Sequence, residues 1–214
     1  MATAGVRAAQ RAETEAALKQ AAVRVFGRIG YLNTKITDIT AEAGRAAGSF
    51  YSHFPNKEAL LEALLTDVLA GGDELAADPA HSGDFTDRDA VRYHVAGYWG
   101  FFRRNREVVL ALQQAAIVDE RFARRMHDLL DPDLRHIAEH LEQARAGGAT
   151  LPGDPLATAT AITAAMAGLA QSWLVQDGRG PEDDDEAVDT LTSFIFSGIG
   201  GTPTPPDRRP RRST

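Results

Sequence analysis

Apolar residues recur at helical intervals along nearly the whole chain, whereas stretches that alternate apolar and polar residues, as half-buried strands do, are nearly absent. Leu18, Ala22 and Val25 are spaced by four and three residues, which places them on one side of a helix. This helix is predicted over about residues 10–29, and Gly30 ends it. A chain with this pattern is predicted to adopt an all-α fold.

Glycine, proline and capping residues divide the rest of the chain into further helices. Asn56 is predicted to cap a long helix that ends before Gly71 and Gly72. The tail from Thr202 contains four prolines, four arginines and little to bury, so we predict that residues 202–214 are disordered. The other helices are predicted at about residues 36–43, 48–54, 87–103, 106–117, 119–147 with a break near Pro132, 154–177 and 182–199.

Charge is distributed unevenly along a sequence whose 214 residues carry a formal net charge of -7. Residues 1–57 hold eight Lys and Arg against four Asp and Glu, whereas residues 71–202 hold eleven against twenty-two, giving net charges of +4 and -11. A basic N-terminal module on an acidic body favours a local nucleic-acid surface. The absence of cysteine excludes a disulfide framework, a thiolate zinc site and a cysteine nucleophile. No signal peptide is visible in the first thirty residues, so we expect a cytoplasmic protein.

The segment from Ile36 to Phe54 has the parts of a helix-turn-helix, because a turn that contains Gly44 separates two short helices and a longer amphipathic helix supports them. In such a unit the second helix enters the major groove of DNA. The apolar side chains predicted to pack inward are Ile36, Ile39, Ala43, Phe50 and Phe54. The outward face then carries small, hydroxyl, aromatic and imidazole side chains that suit close approach to DNA: Arg45, Ala46, Ala47, Ser49, Tyr51, Ser52 and His53.

A set of spaced positions runs through the same segment: Gly30-Tyr31, Thr34, Ile39-Thr40, Ala43-Gly44, Gly48-Ser49-Phe50-Tyr51, His53-Phe54 and Lys57-Glu58 with Leu60. Over about residues 15–65 this pattern resembles the N-terminal segment of the tetracycline-repressor (TetR) family of transcriptional regulators. The resemblance implies a homodimeric repressor that binds palindromic double-stranded operator DNA and a small-molecule effector. It implies neither enzymatic activity nor a cofactor.

The resemblance also assigns residues to DNA contact. Tyr51 and Lys57 are expected to contact phosphates, although in isolation a tyrosine is more often a half-buried aromatic and a lysine a solvated surface charge. Lys35 replaces the Ser or Thr that many relatives carry, and because lysine cannot accept a backbone N–H bond, Thr34 or water must cap the second helix. The full set of expected DNA contacts is Lys35, Thr37, Arg45, Ala47, Gly48, Ser49, Tyr51, Ser52, His53 and Lys57.

Residues 155–176 contain no charged side chain, which raises the question of a membrane span. Threonines, glutamines and many alanines make this segment too weakly hydrophobic to insert, so we predict a buried helix and no membrane partner. In the resembled family the last two long helices form the dimer interface, and we assign residues 154–177 and 187–199 to that role. The predicted domains are then a DNA-binding domain at 10–57, a helical ligand-binding and dimerisation domain at 58–201, and the tail at 202–214.

Large aromatic side chains in the body are predicted either to form plain core or to line a ligand pocket. The resemblance implies a mostly apolar cavity with a few polar groups, so we expect a flat, largely hydrophobic effector there. Gln114 is one candidate for a polar group of the pocket. The residues assigned to ligand binding are His94, Trp99, Phe102, Gln113, Met166 and Trp173.

An enzymatic alternative rests on His136, Glu139 and His140, which spell the H-x-x-E-H motif of inverted zinc proteases. The spacing places both imidazoles on one helical face. A catalytic zinc would still need a third ligand from elsewhere, and neighbouring charged residues also fit a solvated amphipathic face. A zinc-dependent hydrolase is therefore the alternative to a DNA-binding regulator, and we predict no metal site.

Overall fold

The computed structural model describes residues 2–76, 82–175, 181 and 183–199. Within these ranges the chain is helical and contains no strand, which confirms the predicted all-α fold. The helices are α1 (Ala2–Ile29), α2 (Ile36–Glu42), α3 (Ala47–Tyr51), α4 (Lys57–Ala76), α5 (Arg88–Arg104), α6 (Arg106–Val118), α7 (Glu120–Ala146), α8 (Pro155–Val175) and α9 (Asp184–Gly198).

Three helix bounds differ from the prediction in ways that matter for function. Helix α1 begins at Ala2 instead of near residue 10, because its first turns are rich in alanine and arginine, which favour helix. Helix α3 ends at Tyr51, so the residues up to Phe54 lie outside it. The predicted break near Pro132 is wrong, since α7 continues through this proline. Pro132 itself is exposed, and its ring removes a single N–H donor from the helix.

The chain divides into two compact units, one formed by residues 1–78 and 100–132 and the other by residues 79–99 and 133–214. The predicted domain boundary after residue 57 is a functional division and stays a prediction. The predicted tail at 202–214 lies outside the described residues. In the ranges that are described, no helix is both long and apolar enough to cross a membrane.

The core of the first unit forms where α1 packs against α2 and α6, and α4 against α6. The stripe of α1 that begins at Leu18 is fully buried, as are Ile39 of α2, Phe50 of α3 and Leu60 of α4. Each buried side chain of this size contributes about 1.5–3 kcal/mol relative to its exposed state. The two short helices, too short to be stable alone, therefore have their positions fixed by the core.

The second unit has its own apolar core, to which α5, α7, α8 and α9 contribute Val91, Val95, Leu141, Ala159, Leu191 and Ile195. The guanidinium of Arg92 on α5 donates to Asp189 on α9 at 2.8 Å and to Asp185 at 3.2 Å. Asp183 caps α9 by accepting from the backbone N–H of Glu186 at 2.7 Å. Asp183 thus stabilises the start of α9, and Asp185 and Asp189 within α9 hold its contact with α5.

Candidate nucleic-acid interface

The turn between α2 and α3 depends on Gly44, which has φ of +63°. The backbone N–H of Gly44 donates to Ala41 at 3.1 Å, and that of Arg45 donates to Thr40 at 2.9 Å, so the last carbonyls of α2 are paired. A side chain at position 44 would strain the backbone. Glycine therefore lets the chain reverse within a few residues and start α3 at Ala47.

The start of α2 uses Asp38. Its carboxylate accepts the backbone N–H of Lys35 at 2.8 Å, which is the acidic half of a capping box. The Thr34 hydroxyl does not cap α2, because it donates to the carbonyl of Gly30 at 2.7 Å. The Lys35 side chain is exposed at the start of α2 and is available to an external anion, as is that of Thr37 two residues along.

The outer face of α3 and its preceding turn is exposed as predicted, at Arg45, Ala46, Ala47, Gly48, Tyr51 and Ser52, with Ser49 partly covered. Tyr51 is 61% exposed, whereas the neighbouring Phe50 is fully buried and Phe54 nearly so. A Cβ placed on Gly48 would meet no atom within 4 Å. This face is therefore an open surface of small side chains beside one large aromatic hydroxyl.

His53 was expected on this outward face, and that orientation is wrong. Its side chain is only 6% exposed, and its Nδ1 lies 3.8 Å from a carboxylate oxygen of Glu15 on α1. The reason is that α3 ends at Tyr51, so position 53 no longer follows the helical phase used in the prediction. A DNA contact by His53 stays a prediction that its burial disfavours.

Lys57 at the start of α4 is half-buried. Its ammonium donates to the carbonyls of Tyr31 at 2.7 Å and Thr34 at 2.9 Å, and lies 3.9 Å above the Tyr31 ring. Burial lowers the pKa of Lys57, which the neighbouring Glu58 opposes. Two of its three N–H bonds thus join α4 to the loop before α2.

Tyr31 connects the same loop to two helices. Its hydroxyl donates to Glu58 on α4 at 2.8 Å, and its backbone N–H donates to the side-chain oxygen of Gln114 on α6 at 2.9 Å. Burial, and then the hydrogen bond to Glu58, raise the pKa of Tyr31 above its ordinary range. Gln114, a candidate for the ligand pocket in the sequence, therefore holds the loop that leads into α2, a role that no pattern in the sequence indicated.

Ion pairs fix α1 against α2 and α4. Glu42 accepts from Arg24 at 2.8 Å and from Arg28 at 3.1 Å, and these two hydrogen bonds lower the pKa of Glu42. Lys19, whose side chain is only 16% exposed, contacts Asp67 of α4 at 2.9 Å. These pairs were not apparent from the sequence, because their members lie on different helices.

The residues predicted to bind a ligand fall in both units. Trp99 and Trp173 meet edge to face with ring centroids 6.1 Å apart, and the Trp99 indole donates to Asp184 at 2.9 Å. His94 instead packs its ring on Phe85 at 4.9 Å. Met166 is buried in the second unit, whereas Phe102 is buried in the first, together with the amide oxygen of Gln113. The structure therefore brings the tryptophans together, and the rest of the set stays a prediction.

The H-x-x-E-H residues form part of an aromatic cluster. The rings of His136 and His140 lie 4.5 Å apart, and His140 is buried against Phe85 at 5.4 Å. The backbone of Gly83 lies so close to His140 that a Cβ there would overlap the imidazole. Across the described ranges, no group of three His, Cys, Asp or Glu side chains is arranged to hold a metal ion.

Two models of known protein families match this chain, one in its N-terminal segment and one in its C-terminal half. Residues 18–64 match the model described as "Bacterial regulatory proteins, tetR family". Residues 100–198 match the one described as "BetI-type transcriptional repressor, C-terminal". Together the two segments cover more than half of the sequence. The comparisons give no support to a zinc-dependent hydrolase.

Among curated proteins, the chain is 41% identical over 64 residues to the HTH-type transcriptional regulator TtgR of Pseudomonas putida. This match spans 30% of each chain, less than a third of the relative's length. The chain is 26% identical over 196 residues to the HTH-type transcriptional regulator EthR of Mycolicibacterium smegmatis, covering 89% of this chain and 88% of that one.

Solved structures share the fold. The fatty acid degradation regulator FadR from Bacillus halodurans superposes with a TM-score of 0.74 at 16% identity, covering 88% of this chain and 97% of that chain. A TetR-family transcriptional regulator from Rhodococcus sp. gives a TM-score of 0.71 at 24% identity, covering 88% and 100%.

Proposed function

This chain belongs to the TetR family of transcriptional regulators, and on that premise we propose that it binds palindromic operator DNA as a homodimer and releases the DNA when a small molecule binds. The outer face of α3 is the surface that meets the DNA in this proposal. One observation carries it: α3 buries Phe50 and exposes Gly48 and Tyr51, and Ser52 directly after it is exposed as well. A helix with this division of faces can lie in a major groove without uncovering its own core.

The side chains around α3 supply complementary chemistry. Lys35 and Arg45 are exposed cations at the starts of α2 and α3 and can neutralise phosphates on either side of the groove. The hydroxyls of Thr37, Ser52 and Tyr51 can donate to phosphate oxygens or base edges. Ala47 and Gly48 offer little bulk, so α3 can approach closely. Arg45 also contacts Glu13 at 3.5 Å, a long and exposed ion pair that a phosphate can replace.

The dimer in this proposal forms through α8 and α9. On α8 the exposed positions are mostly small, at Ala157, Thr160, Ala161, Ala164, Gly168 and Gln171. On α9 the ring of Phe194 is 63% exposed in the single chain. Small residues let a partner helix approach closely, and a large exposed aromatic is a typical interface anchor. These features support pairing of the same two helices from each protomer around a two-fold axis.

The effector in this proposal is a small, largely hydrophobic molecule bound near Trp99 and Trp173. The two indoles provide apolar surface. The carboxylate of Asp184, which accepts the hydrogen bond of the Trp99 indole, adds a polar group. A FadR from Bacillus subtilis, 18% identical, has been solved in complex with stearoyl-CoA, which supports an effector with a long apolar part. Such a ligand releases DNA only if it binds the conformation of the dimer that cannot bind DNA more tightly than the conformation that can.

A direct test uses a duplex that the wild-type protein selects from a randomised pool. Binding is measured by fluorescence anisotropy for wild type, Tyr51→Ala and Tyr51→Phe. We expect the alanine variant to bind the duplex weakly. The affinity of the phenylalanine variant should lie between those of the alanine variant and wild type, because phenylalanine keeps the ring and loses the hydroxyl. Far-UV circular dichroism should be unchanged for both, since Tyr51 is exposed. Equal affinity of all three proteins would contradict the assignment of α3.

A further inference from the structure

Helix α1 extends beyond the part of the domain that it supports. Its core-facing stripe begins at Leu18, which is fully buried, but the helix itself begins at Ala2. Residues 5–13, here called the arm, are all exposed, and a Cβ on Gly5 would meet no atom within 4 Å. The arm therefore adds little to the packing of the domain in the single chain.

The arm carries arginine on the side of α1 that is apolar farther along. At roughly 100° per residue, positions 7 and 11 lie within about 20° of the direction of Leu18. Arg7 and Arg11 therefore continue the buried stripe with cationic side chains once the supporting helices end. An apolar continuation would suit a further protein contact, whereas this one suits a polar, anionic partner.

Two contacts show which part of α1 lies beside α3. Glu13, the last residue of the arm, contacts Arg45 at the turn before α3, at 3.5 Å. Two residues further on, Glu15 contacts His53 just after α3, at 3.8 Å. The part of α1 beside the recognition surface is thus at residues 13–15, and the arm projects beyond it.

The arm holds one acidic residue, Glu13, which contacts Arg45 and not the arginines of the arm. The sequence from Ala2 to Ala12 contains no Asp or Glu. Among the residues whose contacts are described, neither Arg7 nor Arg11 forms an ion pair. The whole chain has a net charge of -7, so this uncompensated cationic stretch stands out beside the surface proposed to meet DNA.

We propose that the arm is a second DNA-contact element, in which Arg7 and Arg11 bind backbone phosphates that flank those contacted around α3. This inference rests on the proposed operator binding and adds to it a contact outside the helix-turn-helix. From Gly5 to Glu13 the helix rises about 12 Å. Successive phosphates of one strand are about 3.4 Å apart along the DNA axis, so the arm spans three to four of them. The contact is with phosphates and therefore independent of base sequence.

The experiment compares full-length wild type, the double variant Arg7→Ala/Arg11→Ala and the control Arg121→Ala/Arg124→Ala. Both variants remove two exposed arginines per protomer, and alanine preserves helix in each. Affinity for a duplex that wild type selects from a randomised pool is measured over a range of salt concentrations. Loss of four phosphate contacts per dimer should reduce the slope of log K against log salt by roughly 3 to 4. Binding at low salt should also weaken roughly tenfold or more, while the control matches wild type.

Ethylation interference on the same duplex locates the contacts. Wild type should show interference at phosphates flanking the major-groove contacts, and only the arm variant should lose that flanking signal. If wild type and control bind but the arm variant keeps the wild-type slope and interference pattern, the inference is overturned while operator binding stands. An equal loss in the control would also overturn it, because the effect would then be one of general charge. If wild type binds no duplex, the proposed function itself fails.

Discussion

The ammonium of Lys57 donates to the backbone carbonyl of Tyr31 at 2.7 Å and lies over the ring of the same residue. One side chain thereby joins the start of α4 to the loop that leads into the helix-turn-helix, with a further bond to Thr34. The sequence predicts a phosphate contact or a solvated charge at this position, whereas the structure shows that Lys57 is part of the domain's internal contacts.

Lys57→Ala should therefore lower the free energy of unfolding as well as weaken DNA binding. Hydrogen bonds from a charged group contribute about 1.5–3 kcal/mol, and the variant would leave two carbonyls without this donor. Urea denaturation of wild type, Lys57→Ala and the exposed control Lys35→Ala measures the difference. The control should keep its stability and lose affinity. A Lys57→Ala protein of unchanged stability would show that these contacts contribute nothing to the fold.

Gly48→Ala should weaken DNA binding without harming the fold. The added methyl meets no protein atom, and alanine is favoured over glycine in a helix by about 0.5–1 kcal/mol. On the outer face of α3 the same methyl would stand between the backbone and the DNA. Gly44→Ala provides the contrast, since its positive φ makes that substitution destabilising. Full operator affinity of a stable Gly48→Ala protein would argue against close approach at this position.

The contact that Glu42 makes between α2 and α1 should be lost in acid. Its pKa is held below the ordinary value of 4.5 by hydrogen bonds from Arg24 and Arg28. Its stabilising effect is therefore present above that value and is lost as pH falls through the lowered pKa. Unfolding measured against pH should show wild type more stable than Glu42→Gln at neutral pH, with the difference vanishing in acid. A constant difference down to acid pH would contradict the assignment.

Gly168→Glu should convert the dimer to monomers, because the position is exposed on the small-residue side of α8 and a carboxylate there would be buried at the proposed interface. Sedimentation velocity measures the change. Ala146→Glu, an exposed position at the end of α7, is the matched control and should remain dimeric. A wild-type protein that is monomeric at micromolar concentration would contradict the proposed assembly.

Ligand binding beside the tryptophans should change their fluorescence. Trp173→Phe is preferable to an alanine at Trp99, because Trp99 is buried and its truncation would cost about 3–5 kcal/mol. Titration with a long-chain acyl-CoA as the probe should quench wild type more than Trp173→Phe. Addition of the acyl-CoA should also release the selected duplex. If the change in fluorescence were identical in the two proteins, the ligand site would lie elsewhere.

The apolar stripes of the sequence were sufficient to predict an all-helical chain and the division of α3 into a buried and an exposed face. Helical phase is a local property, so Phe50 and Tyr51 could be assigned correctly. The orientation of His53 could not be predicted, because it depends on the residue at which α3 ends. The end of so short a helix is set by its packing against the rest of the domain, and local sequence does not show it. The partners of Lys57 and Gln114 lie far apart in sequence, and nothing local indicates which carbonyl or N–H will be within reach. Proline predicts a break near residue 132, but the loss of one N–H donor does not end α7 there.

The central claim is that two copies of this chain place two α3 helices in successive major grooves of one duplex. Hydroxyl-radical footprinting on the selected duplex tests it most directly, with a companion duplex that carries a half-turn insertion at its centre. We predict two protected half-sites whose centres are about 34 Å apart, or one helical turn, and loss of affinity on the companion duplex. A single protected patch, or equal affinity for both duplexes, would contradict the account.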